Sequence, residues 1–438
     1  MTSTNKLSGW RFPKAFWVAN LVELLERAAY YGFFIAVTLY LTDVVGYTDI
    51  QSGWIAGFFA AGLYFLPTFS GALADKIGFR SAIILAFSLL TIGYFSLGAL
   101  PYKSTVIPAL MIIMVGGSFI KSVISGTVAK ESNADNRARA YSIFYWMVNI
   151  GAFSGKMFAY PIRMDLGVLY IQYYSAALSF LALIAVFLFY RSSNTAGQGK
   201  TLKETWNAFL KVCQNARLIW LIIIVTGFWM IQHQLYASMP KFVIRMVGPE
   251  ASPEWIANVN PFVVVITVLF VTELGKRITA LTSISIGMFL IPISAFIMSL
   301  GPWLMGITGN EVTVLGWIMS PITVMMILGI VFQALGETFI SPRFLEYFSL
   351  QSPKGEEGLY LGFSHLHSFL ANLLGFISSG YLLEKYCPKL PETVTQAERA
   401  AAYAHAHYIW YYYAVVGVVA AVALVVYARI TKKIDAKA

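Results

Sequence analysis

Charge is what this sequence has least of. Only 12% of its 438 residues are Asp, Glu, Lys or Arg, about half the share of an ordinary soluble domain. Hydrophobic residues make up 58%. A soluble fold cannot hide that much apolar surface, which excludes two or three water-soluble domains and makes lipid the solvent for most of the chain. Cysteine is nearly absent. Cys213 and Cys387 alone give neither a disulfide framework nor a metal cluster. Runs of like charge are missing too. The net charge of +10 is scattered over short loops, with no basic face and no aromatic-plus-basic platform, so nucleic acid is not a partner. No HExxH, paired CxxC or nucleotide fingerprint occurs, and no nucleophile–base set is visible, so the chain is not an enzyme and has no catalytic or metal-binding residues. The stretch from Gly151 to Lys156 superficially resembles a phosphate loop, but its glycine spacing is one short and Met157 replaces Ser or Thr. ATP binding is excluded, and no cofactor is implied.

What the sequence has in abundance is apolar runs. Twelve are long enough to span a bilayer, which takes about 20 residues: roughly 15–41, 52–73, 81–100, 106–128, 140–162, 168–190, 217–240, 255–273, 280–300, 313–341, 358–383 and 407–428. The first follows a polar, basic N-terminus and is too long for a cleaved signal peptide. An even number of spans puts both termini on one side. With the termini inside, the inner segments hold 21 of the 31 Lys and Arg and the outer loops 7, a threefold bias that predicts cytoplasmic termini. That topology puts Cys213 inside and Cys387 outside, so they cannot pair. The longest inner loop, 191–216, carries Ser-Ser-Asn, Gly-Gln-Gly and several basic residues, with a short amphipathic helix expected around Leu202–Val212. It divides the chain into six-helix bundles at 1–190 and 217–438. The expected fold is all-α, with twelve transmembrane helices in two bundles, the organisation of an internally duplicated secondary transporter.

The few ionisable residues inside the runs are candidates for function, because each is expensive in a bilayer unless paired. The first run carries Glu23, Glu26 and Arg27, which spacings of three and four place on one helical face, with Tyr30 and Tyr31 a turn further on. Lys121 lies in the fourth run, Lys156 in the fifth and Glu337 in the tenth. Three acids and three bases balance, as expected if they converge on one cavity. Burial favours the neutral carboxylic acid and a nearby cation favours the ion, so such a group can switch near neutral pH, as proton coupling requires. The bland alternative is a set of static ion pairs fixing helix packing. Asn149 and Lys156, seven apart, share a face. His365, His367, His405 and His407 read as polar packing or interface residues rather than metal ligands. The tight stretch GALADKIGFRS after the second run, with Gly71, Asp75, Gly78 and Arg80, suits a cytoplasmic hinge whose charges bond a neighbouring helix end.

That loop resembles the loop motif of the major facilitator superfamily. Within the superfamily the chain resembles the proton-coupled oligopeptide transporters nearly end to end. ELLERAAYYG is similar to their E-x-x-E-R followed by a tyrosine pair, LYFLP to their second helix with Tyr64 and Pro67, and GGSFIK to their fourth helix with Lys121. FYWMVNIG resembles their fifth-helix signature with Asn149, Asn260-Pro261 their eighth helix, and LGETFISP their tenth-helix motif with Glu337 as its acid. The resemblance implies proton-driven uptake of di- or tripeptides or related solutes by alternating access, by a multi-pass protein of the cell membrane, the inner membrane in a bacterium. It implies that Glu23, Glu26 and Arg27 carry the proton. Lys121 would bind the peptide carboxylate and pair with Glu337 across a cavity, while Glu337, Asn149 and Asn260 would hold the amino end and Tyr30 and Tyr64 line the pocket. The protein is read as a monomer whose partners are its solute and membrane lipid.

The departures are specific. Phe34 stands where the family often has an arginine, and His233, flanked by Gln232 and Gln234, where it has an acid. Losing both together strands no charge. His233 and Gln234 then become pocket residues, with His233 a hydrogen-bonding group rather than the proton carrier. Lys156 is an extra cation. The alternatives are a carrier or exporter of another organic anion or zwitterion, and a non-transporting nutrient sensor on the same fold.

Overall fold

The computed structural model describes residues 12–133, 136–191, 201–275, 278–351, 363–391 and 393–435. The basic N-terminus, the centre of the linker and the start of the eleventh apolar run lie outside the described residues. The chain is almost wholly helical. The first apolar run is α1, Lys14–Leu39, ending in a π-helical turn, Tyr40–Val44. The second run is two helices, α2 (Asp49–Phe65) and α3 (Pro67–Ile77), bent by 49° where Pro67 removes a backbone donor. Then come α4 (Phe79–Ala99), α5 (Lys103–Lys130), α6 (Arg137–Asp165) and α7 (Tyr170–Phe189). A linker helix, α8 (Leu202–Cys213), extends one residue beyond the expected amphipathic segment. The seventh run is broken into α9 (Ala216–Gln232), α10 (Gln234–Ala237) and α11 (Met239–Val247). The short α12 (Pro253–Ile256) leads into α13 (Val259–Gly275), followed by α14 (Ala280–Ser299) and α15 (Gly301–Thr308). The chain continues through α16 (Pro321–Leu350), α17 (Leu366–Tyr386), α18 (Gln396–Ala402) and α19 (Tyr408–Asp435).

Among the described residues, nine helices are long and apolar enough to cross a membrane, ten if the bent α2–α3 pair is one span. The other two runs are also helical. The 29-residue α6 is interrupted by polar side chains that include Asn149 and Lys156, and α13 has 17 residues.

Two expectations need correction. The run expected at 313–341 does not begin as a helix. Val312–Val314 (β1) and Trp317–Met319 (β2) pair antiparallel, with Val314 opposite Trp317. The two-residue turn between them needs positive φ at both positions, and Leu315 (52°) and Gly316 (85°) supply it. The stretch read as a loop from Gly71 to Ser81 is mostly helix. Gly71 and Asp75 lie within α3, Arg80 is in the first turn of α4, and the whole reversal rests on Gly78 at φ 85° and ψ 145°, a region essentially reserved for glycine.

The chain forms two compact units, one of Met1–Ala36 and Gly62–Trp206, the other of Val37–Ala61 and Asn207–Ala438. In the first, α4 packs between α5 and α7, and α6 approaches α1 backbone to backbone. A Cβ at Gly151 would lie 2.5 Å from the Leu24 carbonyl oxygen, and one at Gly155 would run into Ala28. The second unit includes the end of α1 and the start of α2 for a physical reason. The Asp49 carboxylate accepts from Lys241 Nζ at 2.7 Å and is clasped by both terminal nitrogens of Arg245 at 2.8 and 3.0 Å. All three side chains are at least nine-tenths buried. Beside them α2 meets α17 through glycines: a Cβ at Gly53 would lie 2.5 Å from the Phe376 carbonyl oxygen, and one at Gly380 2.6 Å from that of Asp49.

Two stability predictions follow from this packing. Gly155→Val should lower stability by about 1–3 kcal/mol, the usual effect of overpacking, whereas Gly306→Ala, where a Cβ meets nothing within 4 Å, should leave it unchanged. Thermal unfolding of the two variants in detergent checks the contrast. Asp49→Asn strands two buried cations and should destabilise by about 3–5 kcal/mol; unfolding in the same detergent at fixed pH measures it.

Candidate functional site

The first unit gathers its charges on one turn of α1. Glu23 and Glu26 are 3% and 2% exposed and Arg27 is 7% exposed. Helical spacing puts the guanidinium against both carboxylates: it pairs with Glu26 directly and with Glu23 at 3.3 Å. Two acids share one base, and the second oxygen of Glu23 is buried with no hydrogen-bond partner among the described residues. A proton on one carboxylate would leave the other matched by Arg27 alone. Glu26, Arg27, Tyr30, Tyr94 and Lys121 line a cavity of about 10 Å³, the space of a single water molecule. Lys121 sits over the Tyr64 ring, 3.6 Å from its centre, and Arg27 lies 5.4 Å from the centre of the Tyr30 ring. The structure therefore brings six of the sequence candidates together: Glu23, Glu26, Arg27, Tyr30, Tyr64 and Lys121. Phe34 is buried and stacks on Tyr30, with ring centres 5.0 Å apart. An apolar ring here leaves no charge needing a partner.

Asn149 donates to the Tyr145 carbonyl of its own helix at 2.8 Å. Lys156 is fully buried, with Nζ 5.7 Å from the centre of the Tyr31 ring. At the hinge, Arg80 donates to the Phe187 carbonyl at the end of α7, and Gly71 lies against Ser122 of α5.

The second unit carries a different kind of site, in which amides donate to an acid. The Glu337 carboxylate on α16 accepts from Gln232 Nε2 at 2.6 Å and from Asn260 Nδ2 at 3.1 Å. Gln232 is the last residue of α9, and Asn260 precedes Pro261 in the first turn of α13. His233 occupies the break between α9 and α10, with its Nε2 3.2 Å from Asn372 Nδ2. Trp229 stacks near His367, with centroids 5.1 Å apart. Gln232 Oε1, Asn372 Oδ1 and the Trp229 indole nitrogen are buried without partners among the described residues. Such a set can bond a solute offering both donors and acceptors.

Gln234, next to His233, has its amide bonded within the helices. Its amide nitrogen donates to the carbonyls of Met230 and Gly375, and its oxygen accepts from Ser238. It clamps α10 to α17, and its neighbour Gln232 is the residue that reaches Glu337. Sequence reasoning also missed Asn372 and the Asp49–Lys241–Arg245 triad. The available signal for the triad was the i,i+4 pair of bases after Pro240, which has no acid in its own helix. Among the described residues no group of three His, Cys, Asp or Glu could hold a metal ion.

Against known proteins, residues 19–310 match the family model of the Major Facilitator Superfamily. Dipeptide and tripeptide permease B of Xenorhabdus bovienii is 30% identical over 35% of this chain, an alignment that spans 32% of that permease. Dipeptide and tripeptide permease A of Citrobacter koseri is 25% identical over 90% of this chain and 88% of its own length. Multidrug resistance protein MdtH of Photorhabdus laumondii is 22% identical over 81% and 83%. The crystal structure of a POT family transporter in complex with 5-aminolevulinic acid superposes with a TM-score of 0.75 at 18% identity, covering 96% of this chain and 97% of that one. At that identity the likeness is one of fold. These relatives are carriers and not enzymes. With a family match over two thirds of its length, a helical architecture of membrane-crossing length, and a fold shared with POT family transporters, the chain belongs to the major facilitator superfamily.

Proposed function

We propose that this protein is a proton-coupled symporter of di- and tripeptides or peptide-like solutes that works by alternating access. In this reading twelve helices span the membrane, the ten apolar ones together with α6 and α13. They are divided six and six around the 191–216 linker, with both termini in the cytoplasm and the protein a monomer in a bacterial inner membrane. The Lys and Arg bias between loops supports that orientation. The proton is the coupling ion, and no other cofactor takes part.

The observation that carries the reading is the buried Glu23–Glu26–Arg27 cluster beside a water-sized cavity that Lys121 also lines. Two carboxylates sharing one guanidinium, with the Lys121 ammonium on the same cavity, can take up or release one proton with a change of a single charge. A charge that can be cancelled by one proton in a water-excluding interior is what coupling requires. Lys121, with its compact ammonium over Tyr64, is suited to a peptide carboxylate. In the second unit, Glu337 with Gln232 and Asn260 suits a peptide's ammonium, and the unpartnered amide and indole groups suit its backbone. Gly71, Asp75, Gly78 and Arg80 form the hinge that re-seats α4 on α7 as the protein changes state. The names of the permease relatives support peptides as the solute class. The alignment with a multidrug resistance protein supports a second reading, an exporter or a carrier of another organic anion or zwitterion.

Uptake of labelled dipeptides and tripeptides into proteoliposomes under an imposed pH gradient tests the proposal. Gradient-driven accumulation is expected, and its absence for peptides and for organic anions alike would remove the transport reading. In the same vesicles Glu23→Gln and Glu26→Gln should each abolish accumulation while keeping counterflow exchange, and His233→Gln should alter affinity more than coupling. If His233→Gln uncouples and the glutamate variants still concentrate solute, the proton path is misassigned. Lys121→Ala and Glu337→Ala should abolish uptake without loss of membrane insertion. Glu337→Ala strands two amide donors, each worth about 1–3 kcal/mol. Near-normal flux in both alanine variants would contradict a role in binding or gating.

A further inference from the structure

The second unit carries a feature that solute transport does not use. Between α9 and α19 runs a groove of about 970 Å³ lined almost entirely by apolar side chains, among them Trp220, Ile223, Val419, Ala423 and Val426. That is the size of a pocket for an organic ligand, about 300–1,000 Å³. Its walls face away from the protein: Trp220 is 60% exposed and Val419 63%. Its depth follows from small residues. A Cβ on Gly227 would lie 2.6 Å from that of Ala420, so the two helices converge there and no side chain fills the space above.

At one end the chemistry changes. Arg217, in the first turn of α9, and Thr431, in the last turns of α19, line both this groove and a second cavity of about 560 Å³. The second cavity adds polar side chains, Thr279, Thr282, Ser285, Gln351 and Lys432, to apolar ones such as Leu281 and Leu350. Arg217 is held at the junction. Its Nε donates to the Tyr347 hydroxyl at 3.0 Å, its carbonyl accepts from the Tyr427 hydroxyl at 3.1 Å, and the two hydroxyls lie 3.1 Å apart.

We propose that this paired cavity is a binding site for an anionic phospholipid, with an acyl chain in the α9–α19 groove and the phosphate against Arg217 and Lys432. The groove is continuous with the lipid-facing surface of both helices, so its occupant is drawn from the bilayer. One basic end on a long apolar trough matches one anionic head on a hydrocarbon tail. Basic pockets at the ends of membrane helices select such headgroups. Trp220, one turn from Arg217, sits where an amphipathic ring meets the headgroup level.

The test is native mass spectrometry of the full-length protein in detergent, with phosphatidylglycerol or phosphatidylcholine of identical acyl chains added. Phosphatidylglycerol should be retained about tenfold better, a difference of about 1.4 kcal/mol. Arg217→Gln combined with Lys432→Gln should reduce its retention to the phosphatidylcholine level, and Ala423→Trp, which fills the groove, should reduce retention of both. Thermal unfolding in lipid-free detergent identifies variants that fold. If Arg217→Gln does not fold, Lys432→Gln alone carries the headgroup test, and Val419→Trp replaces Ala423→Trp on the same condition. Equal retention of the two lipids, or retention that Ala423→Trp leaves unchanged, would overturn the proposal. So would a dimer that Ala423→Trp dissociates, which would make a second copy the occupant. Because the readout is lipid retention, it stands or falls independently of peptide flux.

Discussion

A charge buried among helices and bounded by hydrocarbon must find a partner or lose its ionisation, and that constraint organises this protein. It accounts for the scarcity of charged residues and for the grouping of those on α1 and at the start of α2. Arg27 holds Glu23 and Glu26 on one turn of α1. Asp49 draws Lys241 and Arg245 together from α11 and thereby fixes the start of α2 within the second unit. Where the family pattern has charges at the positions of Phe34 and His233, this chain replaces both with groups the interior tolerates, a stacked ring and a hydrogen-bonded imidazole.

The two units solve the problem of a buried carboxylate differently. In the first, a guanidinium neutralises the acids, and the balance shifts with a single proton. In the second, Glu337 is surrounded by amide donors from Gln232 and Asn260, which stabilise negative charge without cancelling it. The first arrangement suits exchange of a small ion. The second fixes the orientation of a carboxylate through amide donors.

Much of this was legible in the sequence because lipid imposes a simple code. Apolar runs marked the helices, since nothing else can satisfy a backbone in hydrocarbon, and the α1 cluster was visible because its three residues fall within one helical turn. The limits were equally physical. The segments Val312–Val314 and Trp317–Met319 are as apolar as any helix, and hydrophobicity alone does not separate a strand from a helix. The Asp49 triad joins residues 192 and 196 positions apart, at ends of runs where charges look solvated. The bond from Gln232 to Glu337 was not legible because the helix breaks at His233, and the break sets which face each neighbouring side chain presents.

The contact between α1 and α6 has a mechanical consequence. Gly151 and Gly155 bring the two helices so close that α6 lies against the Leu24 and Ala28 backbone and the Arg27 Cβ, at the turn that carries the Glu26–Arg27 pair. Ordinary helix contacts contain rotamers that yield, and small displacements are absorbed before they pass on. Here the contact is largely backbone on backbone. A joint this tight couples a tilt of α6 to the turn of α1 that carries the carboxylates, so the protonatable turn is tied to the helix that carries Asn149 and Lys156.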